Sequence, residues 1–184
     1  MDNKKYKLAL ILGRFQVFHN GHVEIVNKAL EVAEKVLILV GSSQESGTEK
    51  NPFSYETRKE MISKCFENNI DRIIIMGIPD AGLGNNQSWG DYVLAYVKKN
   101  IGRLPDVAIS GEEARRTSWY ANYDIDEIFI PKTTDVSATK MRAWMVENNQ
   151  NEWLKYVHPA LKETFAQLRT EVINSLGKTD TKSI

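Results

Sequence analysis

The stretch Leu8 to His22, LALILGRFQVFHNGH, decides the fold. Its first five residues are apolar without interruption, Gly13 and Arg14 end the run, and His19 and His22 follow three residues apart. An apolar run that does not alternate fits a strand covered on both faces, the kind that builds parallel sheets. Helical periodicity then runs from His22 to Glu34. The stretch is therefore a strand, a turn and a helix start, and the same unit repeats downstream. Aliphatic runs stand at Val36 to Val40, Arg72 to Met76 and Asp106 to Ile109, with a weaker fifth at Glu127 to Ile130. Between them lie helical patterns at Tyr55 to Asn69, Trp89 to Lys99 and, more briefly, Glu112 to Tyr120. This alternation predicts an α/β protein with a doubly wound, parallel, five-stranded sheet.

From Ser137 onward no strand pattern remains. Ala138 to Glu147, Asn151 to Val157 and Pro159 to Ile173 read as helices, with Pro159 opening the last and Gly177 closing it. We expect a sheet domain over residues 1–135, a helical C-terminal part over 136–177 packed on that same domain, and a polar, flexible tail over 178–184.

Composition agrees with a single domain. The chain has 184 residues and 21.0 kDa, with 42% hydrophobic and 26% charged residues, which excludes a disordered or low-complexity protein. Lysine plus arginine (24) cancels aspartate plus glutamate (24), so nothing attracts nucleic acid globally and any anion site has to be local. No apolar stretch approaches the roughly 20 residues of a membrane span, and the N-terminal run is too short for a secretory leader. Cys65 is the single cysteine and has no histidine near it in the chain, so it reads as a small buried hydrophobe in a reducing compartment. These features lead us to expect a cytoplasmic protein with neither nucleic acid nor membrane as partner.

Chemistry concentrates in GRFQVFHNGH, Gly13 to His22. Gly13 is expected to let the backbone turn at the strand end, and Gly21 to let the chain approach a ligand just before the helix. A helix N-terminus offers free N–H groups and partial positive charge, and two imidazoles and Arg14 beside it make a site for phosphate. The glycine spacing is not that of a dinucleotide fingerprint, and no Walker A sequence occurs. A zinc site on His19 and His22 lacks a third ligand nearby, so no protein-held metal is expected. The bland alternative, two histidines satisfied in a turn, is opposed by Arg14 and by the strand-to-helix position.

A second constellation is VSATKMR, Val136 to Arg142. Ser137 suits an N-cap, Thr139 falls in the first turn, and Arg142 sits one turn further on, so hydroxyls, N–H groups and a guanidinium can meet one anion. Two long loops, Gly41 to Phe53 and Gly77 to Gln87, follow strand ends, where open α/β sheets bind ligands; the alternative is that they are plain surface loops. Within the first, Lys50 can close over a phosphate. Arg58, in the helix after it, is expected to pair with a neighbouring glutamate.

The GRFQxxHxGH block resembles the HxGH signature of the nucleotidyltransferase superfamily. Together with GSSQ and NPF in the second loop, Pro79-Asp80, Trp89 and VSATKMR, it is similar to the archaeal-type nicotinamide-nucleotide adenylyltransferases, in order and over most of Leu8 to Arg142. Three departures stand out: Val17 where the family usually has proline, Val136 for isoleucine, and Ser110 to Tyr120, which looks closer to bacterial members. The length is expected to leave no room for the hydrolase or kinase fusions of bacterial relatives.

The resemblance implies a Rossmann-like nucleotidyltransferase fold and transfer of AMP from ATP to nicotinamide mononucleotide, giving NAD and pyrophosphate. It assigns catalysis to His19, His22, Arg14 and Arg142, ATP and phosphate binding to Gly13, Phe15, Gly21, Lys50, Ser137 and Thr139, and the nicotinamide nucleotide to Asp80 and Trp89. Mg²⁺ would come bound with ATP, and relatives assemble into homo-oligomers. An indole can stack on a cationic nicotinamide ring, although a helical tryptophan facing the core is the plain alternative for Trp89. Two other functions stay open: another adenylyl- or cytidylyltransferase, such as one acting on phosphopantetheine, and a non-catalytic nucleotide-binding sensor.

Overall fold

The computed structural model describes residues 4–83, 87–111 and 119–179. Five strands, β1 (Tyr6–Gly13), β2 (Ala33–Val40), β3 (Ile73–Gly77), β4 (Val107–Gly111) and β5 (Asp126–Ile130), form one sheet in the order β3-β2-β1-β4-β5. Every neighbouring pair is parallel. Helices α1 (Asn20–Val32), α2 (Tyr55–Cys65) and α3 (Gln87–Ile101) connect the strands. After β5 come α4 (Ala138–Val146), α5 (Gln150–Leu154), a 3₁₀ helix (Pro159–Thr164) and α6 (Phe165–Ser175). The expected five-stranded, doubly wound parallel sheet is present, and a helical segment follows it.

The uninterrupted apolar runs divide between two cores. Ala9 and Ile11 of β1 and Val36, Ile38 and Val40 of β2 face a core shared with α1, α2 and the C-terminal helices. Leu8, Leu10, Leu37 and Leu39 face the other side, onto Val93, Leu94 and Val97 of α3. Alternate side chains thus bury on opposite faces, which is why the pattern has no polar positions. Burial also pushes the Cys65 thiol up to about 12, so it stays protonated and inert.

Element ends differ from the pattern in instructive places. The first helix stops at Val32 and β2 begins at once with Ala33, with no loop between. Arg72 makes this possible: its guanidinium donates to the carbonyls of Leu30 (2.7 Å), Ala33 (2.7 Å) and Glu34 (3.1 Å), taking up oxygens that a helix end leaves without partners. Tyr55 to Asn69 is an α-helix only to Cys65, then a 3₁₀ helix over Glu67–Arg72. Pro159 opens the 3₁₀ helix that runs into α6, and Gly177 follows α6 at a φ of 72°. Residues 84–86 of the second long loop, 112–118 of the brief helical pattern and 180–184 of the tail lie outside the described residues. Among the described residues no helix is long and apolar enough to cross a membrane.

Candidate functional site

Strand order reverses between β1 and β4, and a crevice opens beyond their carboxyl ends. It holds a cavity of about 460 Å³ lined by Gly13, Arg14, Phe15, His19, Gly21 and His22 from the first turn and by Ser137, Thr139 and Arg142 from the second. The two helix starts that the sequence singles out therefore face one space. They also touch: the Arg142 guanidinium donates to the carbonyl of Gln16, inside the first turn.

The first start is built into the core. Phe15, Val17 and Phe18 are buried, and Phe15 takes the left-handed conformation at a φ of 54°. The tight turn thus falls at Phe15, two residues later than the glycine expected to make it. Gly13 serves a different purpose, because a Cβ there would lie 2.9 Å from the Phe15 ring. Gly21 likewise spares the His19 ring, which a Cβ would meet at 3.2 Å, and it sits inside the first turn of α1.

His19 is the N-cap of α1 and its ring stacks on His22 at 3.8 Å between centroids. His22 Nδ1 accepts from the His19 backbone N–H at 3.3 Å, and Phe18 and Phe15 flank the His22 ring at 5.4 and 5.1 Å. His19 is buried, with its Nδ1 left without a hydrogen-bond partner. Burial, reinforced by the nearby Lys132 charge, lowers its pKa to about 4. His19 is therefore a neutral donor or acceptor at neutral pH, not the cation that its place beside a phosphate site suggests.

The second start supplies charge. Ser137 Oγ accepts from the Lys140 N–H at 3.2 Å, as an N-cap does. Burial and then repulsion from Arg14 lower the Arg142 pKa, with the Glu49 carboxylate opposing them more weakly, so two guanidinium groups act on each other across the cavity. Such a pair is relieved by an anion. Lys132 also lines the cavity, and the loop that carries it is tied to α1 by Thr133, which donates to Glu24 at 2.7 Å. Lys132 was not among the residues expected from the sequence; its only signal is a lysine just before VSATKMR.

The remaining expected residues lie around this cavity. Lys50 borders a second cavity of about 600 Å³ that shares Thr139 and Arg142 with the first. Asp80 and Trp89 line neither cavity: they stand beyond the carboxyl end of β3, two strands from β1. Asp80 is exposed and held by Gln44, whose amide accepts from the Asp80 N–H (3.0 Å) and donates to its carboxylate (3.3 Å). Trp89 is half-buried against the α3-side core and packs on Tyr92 at 5.4 Å. Gln16 also emerges as a tie, accepting from the Phe53 N–H at 2.9 Å and donating to its carbonyl at 3.2 Å, which anchors the end of the Lys50 loop. Arg58 departs from expectation. It is wholly buried and donates to backbone carbonyls of Arg14 (3.0 Å), Gly41 (2.7 Å), Ser42 (3.1 Å) and Ser54 (3.1 Å) instead of pairing with a glutamate. Among the described residues no group of three or more His, Cys, Asp or Glu side chains is placed to hold a metal ion.

Comparison with known proteins places this geometry among relatives. The cytidylyltransferase-like family pattern matches residues 10–152. A nicotinamide-nucleotide adenylyltransferase of Saccharolobus solfataricus is 42% identical over 90 residues, covering 47% of this chain and 51% of the relative. One from Thermoplasma acidophilum is 31% identical over 147 residues, 79% of each chain. Among solved structures, a bifunctional NMN adenylyltransferase/ADP ribose pyrophosphatase from Francisella tularensis, complexed with AMP and a manganese ion, superposes with a TM-score of 0.71 at 24% identity. That superposition covers 91% of this chain and 52% of the Francisella protein. The chain thus spans about half the length of the first and last of these.

Proposed function

The chain belongs to the cytidylyltransferase-like family, and from that premise we propose that it is a nicotinamide-nucleotide adenylyltransferase, joining the 5′-phosphate of nicotinamide mononucleotide to the α-phosphorus of ATP. Its doubly wound sheet is the Rossmann-like nucleotidyltransferase fold. The observation that carries the proposal is the convergence of the α1 and α4 starts, with Arg14 and Arg142, on one cavity.

The reaction forms one P–O bond between the mononucleotide phosphate and the α-phosphorus and breaks the bond to the β-phosphate, releasing pyrophosphate. The attacking phosphate is already an anion, so no protein nucleophile or base is required. What the protein has to supply is alignment of two repelling anions and stabilisation of charge on the α-phosphate and the leaving group. Arg14 and Arg142 provide the fixed positive charge. His19 and His22 provide imidazole hydrogen bonds within a dry wall, and the Ser137 and Thr139 hydroxyls with the α4 N-terminus receive phosphate oxygens. Lys50, at the rim shared through Arg142, closes on the outer phosphates. A divalent cation such as Mg²⁺ enters as part of the ATP substrate, held by phosphate oxygens, as that ion prefers.

Asp80 and Trp89 take the nicotinamide nucleotide beyond β3, at the same carboxyl end of the sheet. In that role Trp89→Ala raises KM for the mononucleotide by about 5-fold or more and moves KM for ATP less, consistent with a stacking contribution of about 1 kcal/mol. An equal rise for both substrates removes the stacking role. The reaction itself is tested by pyrophosphate release from ATP and other triphosphates with the amide and acid mononucleotides in turn. ATP bound without pyrophosphate release under all pairings favours a nucleotide sensor, and release only with a different acceptor favours another transferase.

A further inference from the structure

Three non-glycine residues among those described have positive φ: Phe15 (54°), Ser42 (48°) and Asn148 (57°). The first two lie at the ends of adjacent strands, one in the GRFQ turn after β1 and the other at the start of the Lys50 loop after β2. Left-handed backbone is unfavourable for residues with a Cβ and persists where surrounding contacts over-determine it. Of the contacts that fix these two turns, one side chain reaches both. Arg58 Nη1 donates to the carbonyl of Arg14, which belongs to the peptide entering Phe15, and to that of Gly41, which enters Ser42. Its Nη2 donates to the Ser42 carbonyl itself, and Nε ties the fork back to Ser54 at the start of α2.

We propose that Arg58 is a positioning residue for the adenylyl transfer, locking the two strained turns so that Arg14 and the Lys50 loop present a fixed, preorganised surface to the triphosphate. The inference rests on the function proposed above and extends it to a residue that need not touch substrate.

Arginine suits the task. A planar fork can serve several carbonyls at fixed angles, whereas an ammonium is a point donor on a flexible stem. Burial, and after it the repulsion from Arg14, lowers the Arg58 pKa to about 10, which leaves it cationic at neutral pH. Its hydrogen-bond partners among the described residues are carbonyls, and the Asp80 and Glu56 carboxylates act on it only through space, after burial and Arg14 in weight.

Arg58→Lys keeps the charge and removes the fork, and the comparison is made well below the unfolding temperature of each protein. Relative to wild type, Kd for ATP, measured by calorimetry without the second substrate, and KM for ATP are expected to rise about 10-fold or more, with a smaller change in KM for the mononucleotide. A folded Arg58→Lys protein with a lower Tm but both ATP constants within about 2-fold of wild type overturns the proposal. If that variant does not fold, Arg58→Ala is tested with added methylguanidinium. Recovery of folding together with ATP binding supports the positioning role, and recovery of folding alone overturns it. Wild-type protein that binds ATP but releases no pyrophosphate refutes the transfer reaction instead, and the ATP Kd comparison still judges Arg58.

Discussion

The two helix starts that share the cavity are made in opposite ways. At α1 the capping residue is a buried, neutral imidazole stacked on a second one and walled by phenylalanines. At α4 the cap is a serine hydroxyl, and a guanidinium one turn later reaches across to the other side. One start sets a neutral imidazole among aromatic rings with Arg14 beside it, the other a hydroxyl cap with Arg142 one turn on. If the cavity takes an anion, as proposed, the difference teaches that not every basic residue there has to be a cation: a neutral donor is already oriented when charge develops, and the guanidinium groups supply the field.

The largest effects should separate these parts. Arg142→Ala and His22→Ala are each expected to lower kcat by about 10²-fold or more, the size of loss seen when an oriented donor to a developing anion is removed. Because Arg142 holds the charge, its loss is also expected to raise KM for ATP, whereas the His22 variant keeps KM closer to wild type. Steady-state kinetics read alongside thermal unfolding check this. Parallel loss of activity and stability in both variants makes the residues structural and erases the contrast.

The next effect is confined to the first start. His19 in the folded protein has a pKa of about 4, below its ordinary 6.5, so the unfolded chain takes up a proton that the folded protein refuses. Stability from this group is complete above about pH 6.5 and is lost as pH falls toward 4, amounting to about 3 kcal/mol. Denaturant unfolding at a series of pH values, wild type against His19→Asn, isolates that loss from the carboxylates that titrate in the same range. The wild type should lose about 3 kcal/mol more than the variant between neutral pH and pH 4. Equal slopes mean that the imidazole is solvated, and the neutral-donor account of the α1 start fails.

How much of this was legible beforehand follows the same division. The five strands and their parallel pairing were readable because β1 and β2 bury alternate residues on both faces, leaving runs without polar interruptions; their order in the sheet was not. Both helix starts were readable from short spacings, His19 to His22 and Ser137 to Arg142. What escaped depends on contacts distant in sequence. Arg58 looked like a helix-surface charge because its partners are carbonyls at positions 14, 41 and 42, and carbonyls leave no trace in residue identity. The reason for Gly13 was hidden too, since it is the Phe15 ring folding back beneath it. The low basicity of His19 is a property of burial, which no local spacing encodes. Arg72 closing the helix-to-strand junction at Val32 belongs to the same class.

The smallest effect probes the second start. Ser137 Oγ caps α4 through the Lys140 N–H, and replacing it with alanine should cost about 1 kcal/mol of unfolding free energy with an unchanged denaturant slope. That cost alone would follow from any N-cap. If the hydroxyl also meets a phosphate oxygen, Ser137→Ala should in addition weaken ATP binding by about 5-fold, the net scale of one hydrogen bond exchanged with water. Calorimetric titration of wild type and variant distinguishes the two. An unchanged ATP Kd reduces Ser137 to a cap and leaves the field at α4 to Arg142 alone; a 5-fold loss means that the polar start, like the apolar one, uses its capping residue on the ligand. The two helix ends would then differ in charge but not in design.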